Sequence, residues 1–244
     1  MGAISHVVPA RRNTSKRDDI TVIILAANIG YGMKSYGPKT LFNINDKETL
    51  LEYQINLLQT TFFNCEIILV VGFMADRIIR KCPPGIRIIE NQLYETTNEV
   101  EQIRLALNCT LTDNVLIIKD DIIFNQQTLQ AITRDKACLI YDSGNRIYNT
   151  NIGVTIVDNY ATIFAYGTKN KWCHIIYLTK KEVKLLKSIC NKRSLEKLYF
   201  FEVLNMVLER SGKMKAIEPQ EMEITKIDTS KDLFMVQNEN INLN

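Results

Sequence analysis

The residues that could bind phosphate stand in a glycine-containing loop near the beginning of the chain. Gly30, Gly32 and Gly37 are followed by Pro38 and Lys39. Glycines let backbone N–H groups turn outward and approach an anion closely, and a lysine adds positive charge beside it. The spacing alone predicts either a phosphate-binding loop or a plain glycine-bearing connection in which Lys39 is solvated.

A pair of carboxylates follows an apolar run farther along the chain. Asp120 and Asp121 come directly after residues 114–119, which have the pattern of a buried strand. Open α/β sheets bind ligands at the carboxyl ends of their strands. The pair therefore predicts either an acidic ligand-binding edge or an acidic corner in which one aspartate caps the next turn.

The elements that must position these residues alternate between strand and helix. The continuous apolar run at 21–27 is typical of a strand that is buried on both faces of a parallel sheet. Further strands are predicted at 66–72, 86–90 and 114–119, with helices at 48–61, 74–80 and 99–107. This alternation predicts an α/β fold with an open, mostly parallel, doubly wound sheet.

The second half of the chain has a different pattern, which predicts a smaller antiparallel element. Two strands flank the turn-forming pair Asp158 and Asn159. The remaining predicted elements are a strand at 173–178, helices at 180–189 and 194–210 with Gly212 as C-cap, strands at 214–217 and 224–227, and a helix from Ser230.

Composition predicts a chain with one main domain. Residues 1–19 are polar and basic without a period, which predicts a flexible arm or, alternatively, a segment that docks on a protein partner. Residues 20–238 are predicted to form a single domain, and 239–244 a frayed tail. A hydrophobic fraction of 46% and a net charge of +3 argue for neither nucleic-acid nor membrane binding.

The cysteines and the hydropathy of the chain indicate in which cellular compartment the protein is expected. The six cysteines form no CxxC pair, which favours free thiols in a reducing compartment. The sequence shows neither a signal-peptide pattern nor an apolar run of membrane-spanning length. These features predict a cytoplasmic protein without a membrane span, and they leave oligomerisation open.

The loop sequence resembles that of a known family. Residues 25–33 read LAANIGYGM and are followed by Pro38 and Lys39. The sugar-phosphate nucleotidyltransferases, especially the short members that load phosphocholine onto CTP, carry LAAGxGxRM, four residues and PK. The resemblance continues through an NxxYxxxN segment at 91–98 and an IDTxxDL motif at 227–233, and it covers roughly residues 21–236.

The resemblance implies a nucleotidyltransferase fold (GT-A-like) and an Mg²⁺-dependent reaction. A nucleoside triphosphate, with CTP favoured, would be joined to a phosphocholine-like molecule or a sugar 1-phosphate, and pyrophosphate would leave. Asp121 and Asp228 match the metal ligands, and Lys39 joins them as the third catalytic residue. The matched nucleotide-binding residues are Leu25, Ala26, Ala27, Asn28, Gly30, Gly32, Lys34, Asn91 and Asn98.

Three positions depart from the family pattern. Asn28 replaces a glycine, Gly32 replaces the arginine that contacts the triphosphate, and Lys226 stands where the family often has an acid. Lys34 is close enough in sequence to supply the missing charge. These departures keep open a second hypothesis, a degenerate nucleotidyltransferase fold that serves as a binding or assembly component.

The sequence also suggests a third functional hypothesis and a set of residues that could contact the acceptor substrate. The Asp120–Asp121 edge is also compatible with a nucleotide-sugar glycosyltransferase of related fold. His174 is predicted to be structural. Gln102 is expected near the nucleotide base, and the acceptor candidates are Lys169, Lys171, Trp172, Tyr199 and Glu202.

Overall fold

The structure, a computed structural model, describes residues 20–144 and 151–238. The predictions of a flexible arm at 1–19 and a frayed tail at 239–244 lie outside the described residues. The strands are β1 (Thr21–Ala26), β2 (Glu66–Val71), β3 (Arg87–Glu90), β4 (Val115–Lys119), β5 (Ile122–Phe124), β6 (Cys138–Asp142), β7 (Ile152–Val157), β8 (Tyr160–Tyr166), β9 (Asn170–Leu178), β10 (Lys215–Ile217) and β11 (Ile224–Lys226). The helices are α1 (Leu50–Thr61), α2 (Ala75–Lys81), α3 (Glu99–Leu107), α4 (Gln126–Gln130), α5 (Lys180–Cys190), α6 (Phe200–Glu209) and α7 (Ser230–Asn238).

The first half of the chain builds a parallel, doubly wound sheet. β1 pairs in parallel with β2 and β4, and β2 pairs in parallel with β3. All residues of β1 are buried; Ile23 and Leu25 face one core cluster, whereas Val22 and Ile24 face another. Helices cover both faces of these strands, which explains why β1 reads as a continuous apolar run. The predicted fold class is confirmed.

The second half extends the same sheet with antiparallel strands. Nine strands follow the order β3-β2-β1-β4-β9-β6-β10-β8-β7, and β9 runs antiparallel to both β4 and β6. β7 and β8 form the predicted antiparallel hairpin around Asp158 and Asn159, and β7 also pairs with the beginning of β9. β11 pairs with β5 in a separate two-stranded sheet.

Three elements were not predicted: β5, α4 and β6. β6 lies inside the sheet between β9 and β10, although its five residues give too short a pattern to identify by period alone. α4 has five residues and begins where the Asn125 side chain accepts the Thr128 N–H. These short segments depend on tertiary contacts for their structure.

The helix predicted at 194–210 begins later and ends differently. α6 begins at Phe200, because the Glu202 side chain accepts the Tyr199 N–H at 2.7 Å and caps the helix there. The residue in the left-handed conformation after the helix is Ser211, with φ 68°, and not Gly212. Gly212 follows it and donates its N–H to the Val207 carbonyl, which completes a Schellman-type end.

The small β5–β11 sheet positions the end of the chain beside β4. Lys226 pairs with Ile122, and the Ile227 N–H donates to the Asp121 carbonyl at 2.8 Å. This pairing brings Asp228 next to Asp121 across more than a hundred residues of sequence. Among the described residues, no helix combines the length and the apolar character needed to cross a membrane.

Candidate functional site

The loop after β1 turns sharply at Gly30. Gly30 adopts a left-handed conformation with φ 57° and ψ 64°, and its carbonyl accepts the Met33 N–H at 2.8 Å. A Cβ atom at this position would lie 3.1 Å from Cε of Lys39. The glycine therefore serves two purposes, because it permits the turn and leaves room for the Lys39 side chain to cross beneath the loop.

Lys39 bridges the two aspartates that the sequence predicted as metal ligands. Its Nζ lies 3.4 Å from Oδ2 of Asp121 and 3.0 Å from Oδ1 of Asp228. The Lys39 and Asp121 side chains are 11% and 9% exposed, whereas that of Asp228 is 48% exposed. The loop, the end of β4 and the segment after β11 thus converge on one charged cluster.

A second lysine joins this cluster. Nζ of Lys226 lies 2.6 Å from Oδ2 of Asp228 and 4.0 Å from Oδ2 of Asp121. From the sequence, Lys226 was noted only as a departure from the pattern of the resembling family. The sequence signal was the two-residue spacing of Lys226 and Asp228, which brings both side chains to the same side if the extended backbone of β11 continues to Asp228.

The charges of the cluster support one another. Burial opposes ionisation of Asp121, but the ammonium groups of Lys119, Lys226 and Lys39 outweigh it and lower the pKa of this carboxyl. Burial likewise opposes ionisation of Asp228, and Lys226 and Lys39 lower its pKa. The aspartates outweigh burial at Lys39 and raise its pKa. Both aspartates and Lys39 are therefore ionised near neutral pH.

Asp120 behaves differently from its neighbour. Burial, followed by the negative charge of Asp121, raises the pKa of Asp120 to about 7. The backbone N–H of Asp120 donates to the Leu25 carbonyl, which ties the turn after β4 to the end of β1. Asp120 therefore does not add a full negative charge to the cluster at neutral pH.

A buried glutamine in α1 holds the turn that carries both aspartates. Nε2 of Gln54 donates to the carbonyls of Lys119 at 3.1 Å and Ile122 at 2.7 Å, and the side chain is fully buried. These bonds clamp both ends of the Asp120–Asp121 turn to the helix. The sequence offered a signal here too, since Gln54 is a polar residue on the apolar face of the predicted helix.

The donor set at Asp121 fits a divalent cation. Oδ1 of Asp121 is buried and has no hydrogen-bond partner, which leaves one carboxylate oxygen available for a ligand. The described part of the chain contains no cluster of three or more His, Cys, Asp or Glu side chains suited to a metal. Mg²⁺ needs only one or two protein carboxylates when phosphate oxygens and water complete its shell. Asp121 and Asp228 meet that requirement.

Gln102 in α3 fixes the start of the loop. Its Oε1 accepts the Ala27 N–H at 3.1 Å, and its Nε2 donates to Oδ1 of Asn28 at 2.8 Å. Gln102 is 1% exposed, so its bond to Ala27 is buried, whereas its bond to the exposed Asn28 is only partly buried. Asn28, which replaces a family glycine, therefore has a side chain held in place at the edge of the cleft.

The remaining predicted nucleotide-binding residues fall into two groups. Asn28, Gly30 and Asn98 line an open cleft of about 540 Å³ together with the charged cluster, and Asn98 also caps α3. Leu25, Ala26 and Ala27 are buried beneath the loop, and Gly32 lies beside the Asp228 carbonyl. Asn91 is buried and bonds Leu93 and Thr97, and Lys34 is exposed; neither lines the cleft.

The opposite wall of the cleft comes from the second half of the chain. Tyr166 and Tyr199 line it with side chains that are 53% and 47% exposed. Tyr199 was predicted as an acceptor contact, and the structure brings it to the cleft. Trp172 is instead buried at 1% exposure against Phe164 and Phe200, so it is a core residue. Lys169, Lys171 and Glu202 do not line the cleft.

His174 is a cleft residue that the sequence analysis interpreted as structural. It lies in β9 with φ 58°, where the pairing with β6 shifts register, and its ring packs 4.7 Å from that of Trp172. Burial and the neighbouring Lys119 and Lys226 lower the pKa of His174 well below its usual value. The imidazole is therefore neutral at physiological pH. No sequence pattern indicates the irregular backbone that turns it toward the cleft.

Comparison with known proteins gives one sequence relative. No known family model matches the chain. A choline-phosphate cytidylyltransferase from Streptococcus pneumoniae is 29% identical over 123 residues, which cover 49% of this chain and 52% of that protein. The match thus spans about half the length of this relative.

Solved structures share the fold over most of the chain. A CTP:phosphocholine cytidylyltransferase from Streptococcus pneumoniae has a TM-score of 0.73 at 18% identity, over 89% of this chain and 97% of that one. An inositol-1-phosphate CTP transferase from T. maritima has a TM-score of 0.71 at 16% identity, over 87% and 90% of the respective chains. The resemblance drawn from the loop is confirmed at the level of the fold: the chain has the nucleotidyltransferase fold, and about half of it is similar in sequence to a choline-phosphate cytidylyltransferase.

Proposed function

We propose that the chain is an Mg²⁺-dependent nucleotidyltransferase that joins a nucleoside triphosphate, preferably CTP, to a phosphorylated small molecule and releases pyrophosphate. The observation that carries this proposal is the convergence of Lys39, Asp121 and Asp228 beneath the glycine loop. The relatives support it, since their names describe transfer of a cytidylyl group to choline phosphate or inositol 1-phosphate.

The triphosphate binds at the loop after β1. Gly30 turns the backbone there, and Lys39 supplies an ammonium group beneath it. Asn28 lies at the edge of the cleft with its carbonyl oxygen bonded to Gln102, so its amide nitrogen is a donor for the acceptor atoms of a pyrimidine edge. CTP is the first choice because the names of two similar structures describe CTP as their substrate.

Transfer requires no general base in this proposal. An anionic oxygen of the acceptor phosphate forms a bond to the α-phosphorus, and the bond from that phosphorus to the bridging oxygen breaks. Pyrophosphate leaves with the electron pair of that bond. Lys39 stabilises the charge that develops on the transferred group. When bound at Asp121 and Asp228, Mg²⁺ supplies charge neutralisation at the phosphates.

The acceptor occupies the wall formed by the second half of the chain. The exposed rings of Tyr166 and Tyr199 both contact Phe201 and present aromatic surface to the cleft. Aromatic faces attract quaternary ammonium groups through cation–π interaction. Phosphocholine is therefore the first acceptor to test, and sugar 1-phosphates are the second.

The experiment measures pyrophosphate release together with product mass. CTP, UTP, dTTP and ATP are each incubated with Mg²⁺ and phosphocholine, inositol 1-phosphate or glucose 1-phosphate, with wild type and Asp121→Asn in parallel. The proposal expects one product whose mass equals nucleoside monophosphate plus acceptor, formed by wild type and strongly reduced in the variant.

Two outcomes would favour the other hypotheses. Binding of a triphosphate without any transfer product would support a degenerate fold that serves as a binding component. Consumption of a nucleotide-sugar without use of any free triphosphate would support a glycosyltransferase. Either result would overturn the proposed transfer reaction.

A further inference from the structure

Lys226 faces the same two carboxylates as Lys39, but it approaches them from the other side of the cluster. It ends β11, which pairs with β5 directly after Asp121. Each oxygen of Asp228 is bonded to a different lysine, Oδ1 to Lys39 and Oδ2 to Lys226. Oδ2 of Asp121 lies near both ammonium groups.

A divalent cation and these ammonium groups compete for the same oxygens. The side chain of Asp121 is 9% exposed, and its Oδ1 has no hydrogen-bond partner. Each oxygen of Asp228 already bonds an ammonium group, so a cation that binds Oδ1 of Asp121 and also reaches Asp228 is repelled by the nearby lysine, and this repulsion favours release of one lysine from Asp228. The geometry determines which lysine can leave.

Lys226 is the lysine that is free to move. Lys39 is 11% exposed, and its stem passes directly beneath Gly30. Lys226 is 24% exposed, belongs to a three-residue strand and lines the cleft. A lysine side chain has a flexible four-carbon stem, so its ammonium group can move several ångströms without movement of the backbone.

We propose that Lys226 holds the two carboxylates when no divalent cation is bound, and transfers its ammonium to a phosphate of the nucleotide when the cation arrives. This inference rests on the proposed function. It explains how the cleft keeps a positively charged side chain for phosphate beside Asp228, although position 32 holds a glycine and not an arginine. A Cβ atom at Gly32 would lie 3.3 Å from the Asp228 carbonyl oxygen, so this side of the loop is filled by backbone.

The charge balance agrees with the exchange. Two lysines and two aspartates cancel, whereas a divalent cation added to the cluster leaves an excess of two positive charges beside the triphosphate. Lys226 then has a new anionic partner within reach. A buried or half-buried ammonium without a partner would be costly, which favours coupled binding of cation and nucleotide.

The test uses Lys226→Met, Lys226→Arg and the matched surface control Lys231→Met. Calorimetry measures Mn²⁺ binding without nucleotide, and then pyrophosphate binding in the presence of Mg²⁺. Lys226→Met should bind Mn²⁺ about threefold to tenfold more tightly than wild type, because a competing cation is gone. The same variant should bind pyrophosphate roughly 10- to 100-fold more weakly, because a charge-assisted hydrogen bond is lost.

Opposite changes in the two affinities are the specific prediction. Lys226→Arg should retain pyrophosphate binding, and Lys231→Met should match wild type in both titrations. Parallel weakening of Mn²⁺ and pyrophosphate binding in Lys226→Met would mean a structural role only, and unchanged affinities would mean no role; either overturns the inference. Thermal unfolding of each variant verifies that it folds.

The two proposals fail in distinguishable ways. Wild type that binds Mn²⁺ and pyrophosphate but forms no transfer product would overturn the proposed function, while the Lys226→Met titrations would still decide the exchange. Wild type that binds neither probe would overturn both proposals.

Discussion

At the residue scale, the site depends on charges that are held in pairs and largely removed from water. The Lys39 and Asp121 side chains are both about one-tenth exposed and contact each other. A buried charge that loses every partner costs about 3–5 kcal/mol. Here Lys39 would keep Asp228, and Asp121 would keep Lys226, so the loss of one member costs less than that. Substitutions that remove one of these charges therefore affect stability as well as activity, and gentler changes around them are more informative.

Gly30→Ala tests the path of Lys39 beneath the loop. The new methyl group would meet Cε of Lys39 at 3.1 Å, in a backbone conformation with φ 57°. We expect a loss of stability of about 1–2 kcal/mol from the left-handed conformation. We also expect CTP with Mg²⁺ to bind about tenfold or more weakly, because Lys39 is displaced. Calorimetric titration and thermal unfolding measure the two effects.

Gly85→Ala is the matched control for this change. Gly85 also has a positive φ, of 87°, but an added Cβ would meet nothing within 4 Å. This variant should lose a similar amount of stability and bind the nucleotide as wild type does. Equal nucleotide affinity in Gly30→Ala and Gly85→Ala would contradict the role assigned to the Lys39 path.

Asp120→Asn tests the raised pKa of that carboxyl. A folded-state value of about 7 means that the folded protein holds the proton more tightly than the unfolded chain. The free energy of unfolding of wild type therefore falls as pH rises from about 4 to 7. The amide side chain of the variant does not ionise, so the variant does not show this fall. In EDTA and without nucleotide, the variant should be more stable than wild type at pH 8, where the wild-type carboxyl is ionised. This gain should nearly vanish at pH 4, as followed by urea unfolding.

A constant difference between Asp120→Asn and wild type across this pH range would contradict the assignment. A variant that was more stable than wild type at pH 4 but not at pH 8 would show the opposite pH dependence, and would mean that ionised Asp120 stabilises the fold.

At the scale of elements, the sequence predicted those parts of the site that follow long apolar runs. β1 and β4 are continuous apolar strands, so the glycine loop and Asp121 could be assigned to the ends of strands. Asp228 follows a three-residue strand whose pairing with β5 is a tertiary contact. Only the resemblance of the IDTxxDL motif predicted its role, because such short strands show no period.

Gln54→Met tests the clamp between α1 and the turn after β4. The change keeps the side-chain volume similar but removes the bonds to the Lys119 and Ile122 carbonyls. We expect stability to fall by about 1–3 kcal/mol, since buried carbonyls lose their donor. Mn²⁺ affinity should fall as well, because the turn that carries Asp121 loosens. Urea unfolding and Mn²⁺ titration are the measurements.

Gln130→Met provides the comparison, because Gln130 is exposed at the end of α4. It should change neither stability nor Mn²⁺ affinity appreciably. A Gln54→Met protein with wild-type Mn²⁺ affinity would mean that the turn is held by other contacts.

At the scale of the whole molecule, the cleft joins the two halves of the chain across one sheet. The loop and Asp121 belong to the parallel half, His174 and Tyr199 belong to the second half of the chain, and Lys226 lies in the separate β5–β11 sheet. Hydrophobic periodicity predicted the two halves, and only the resemblance, through Asp121 and Asp228, predicted that they meet at one site. Two features depend on contacts that are distant in sequence: Lys226 approaches Asp121, and an irregularity in β9 turns His174 toward the cleft. Local periodicity does not predict such contacts.

Unfolding should occur in one transition, because a core cluster contains residues of both halves, including Ile23 of β1 and Leu204 of α6. Trp172 is the single tryptophan and is buried in the antiparallel half, so its fluorescence reports on that half. Ile23→Val should lower stability by about 0.5–1.5 kcal/mol. It should shift the midpoints from fluorescence and far-UV circular dichroism equally. Separate midpoints would contradict the predicted single domain at 20–238.

The most direct test of the central claim is calorimetric titration of CTP with Mg²⁺ into wild type, Asp121→Asn and Asp113→Asn. Asp113 makes an exposed ion pair with Lys180 and is the control for loss of a surface charge. We predict that wild type and Asp113→Asn bind alike and that Asp121→Asn binds at least about tenfold more weakly, because a ligand for the cation is lost. Equal affinity in all three proteins, or no binding of any triphosphate to wild type, would contradict a nucleotide site built on Asp121.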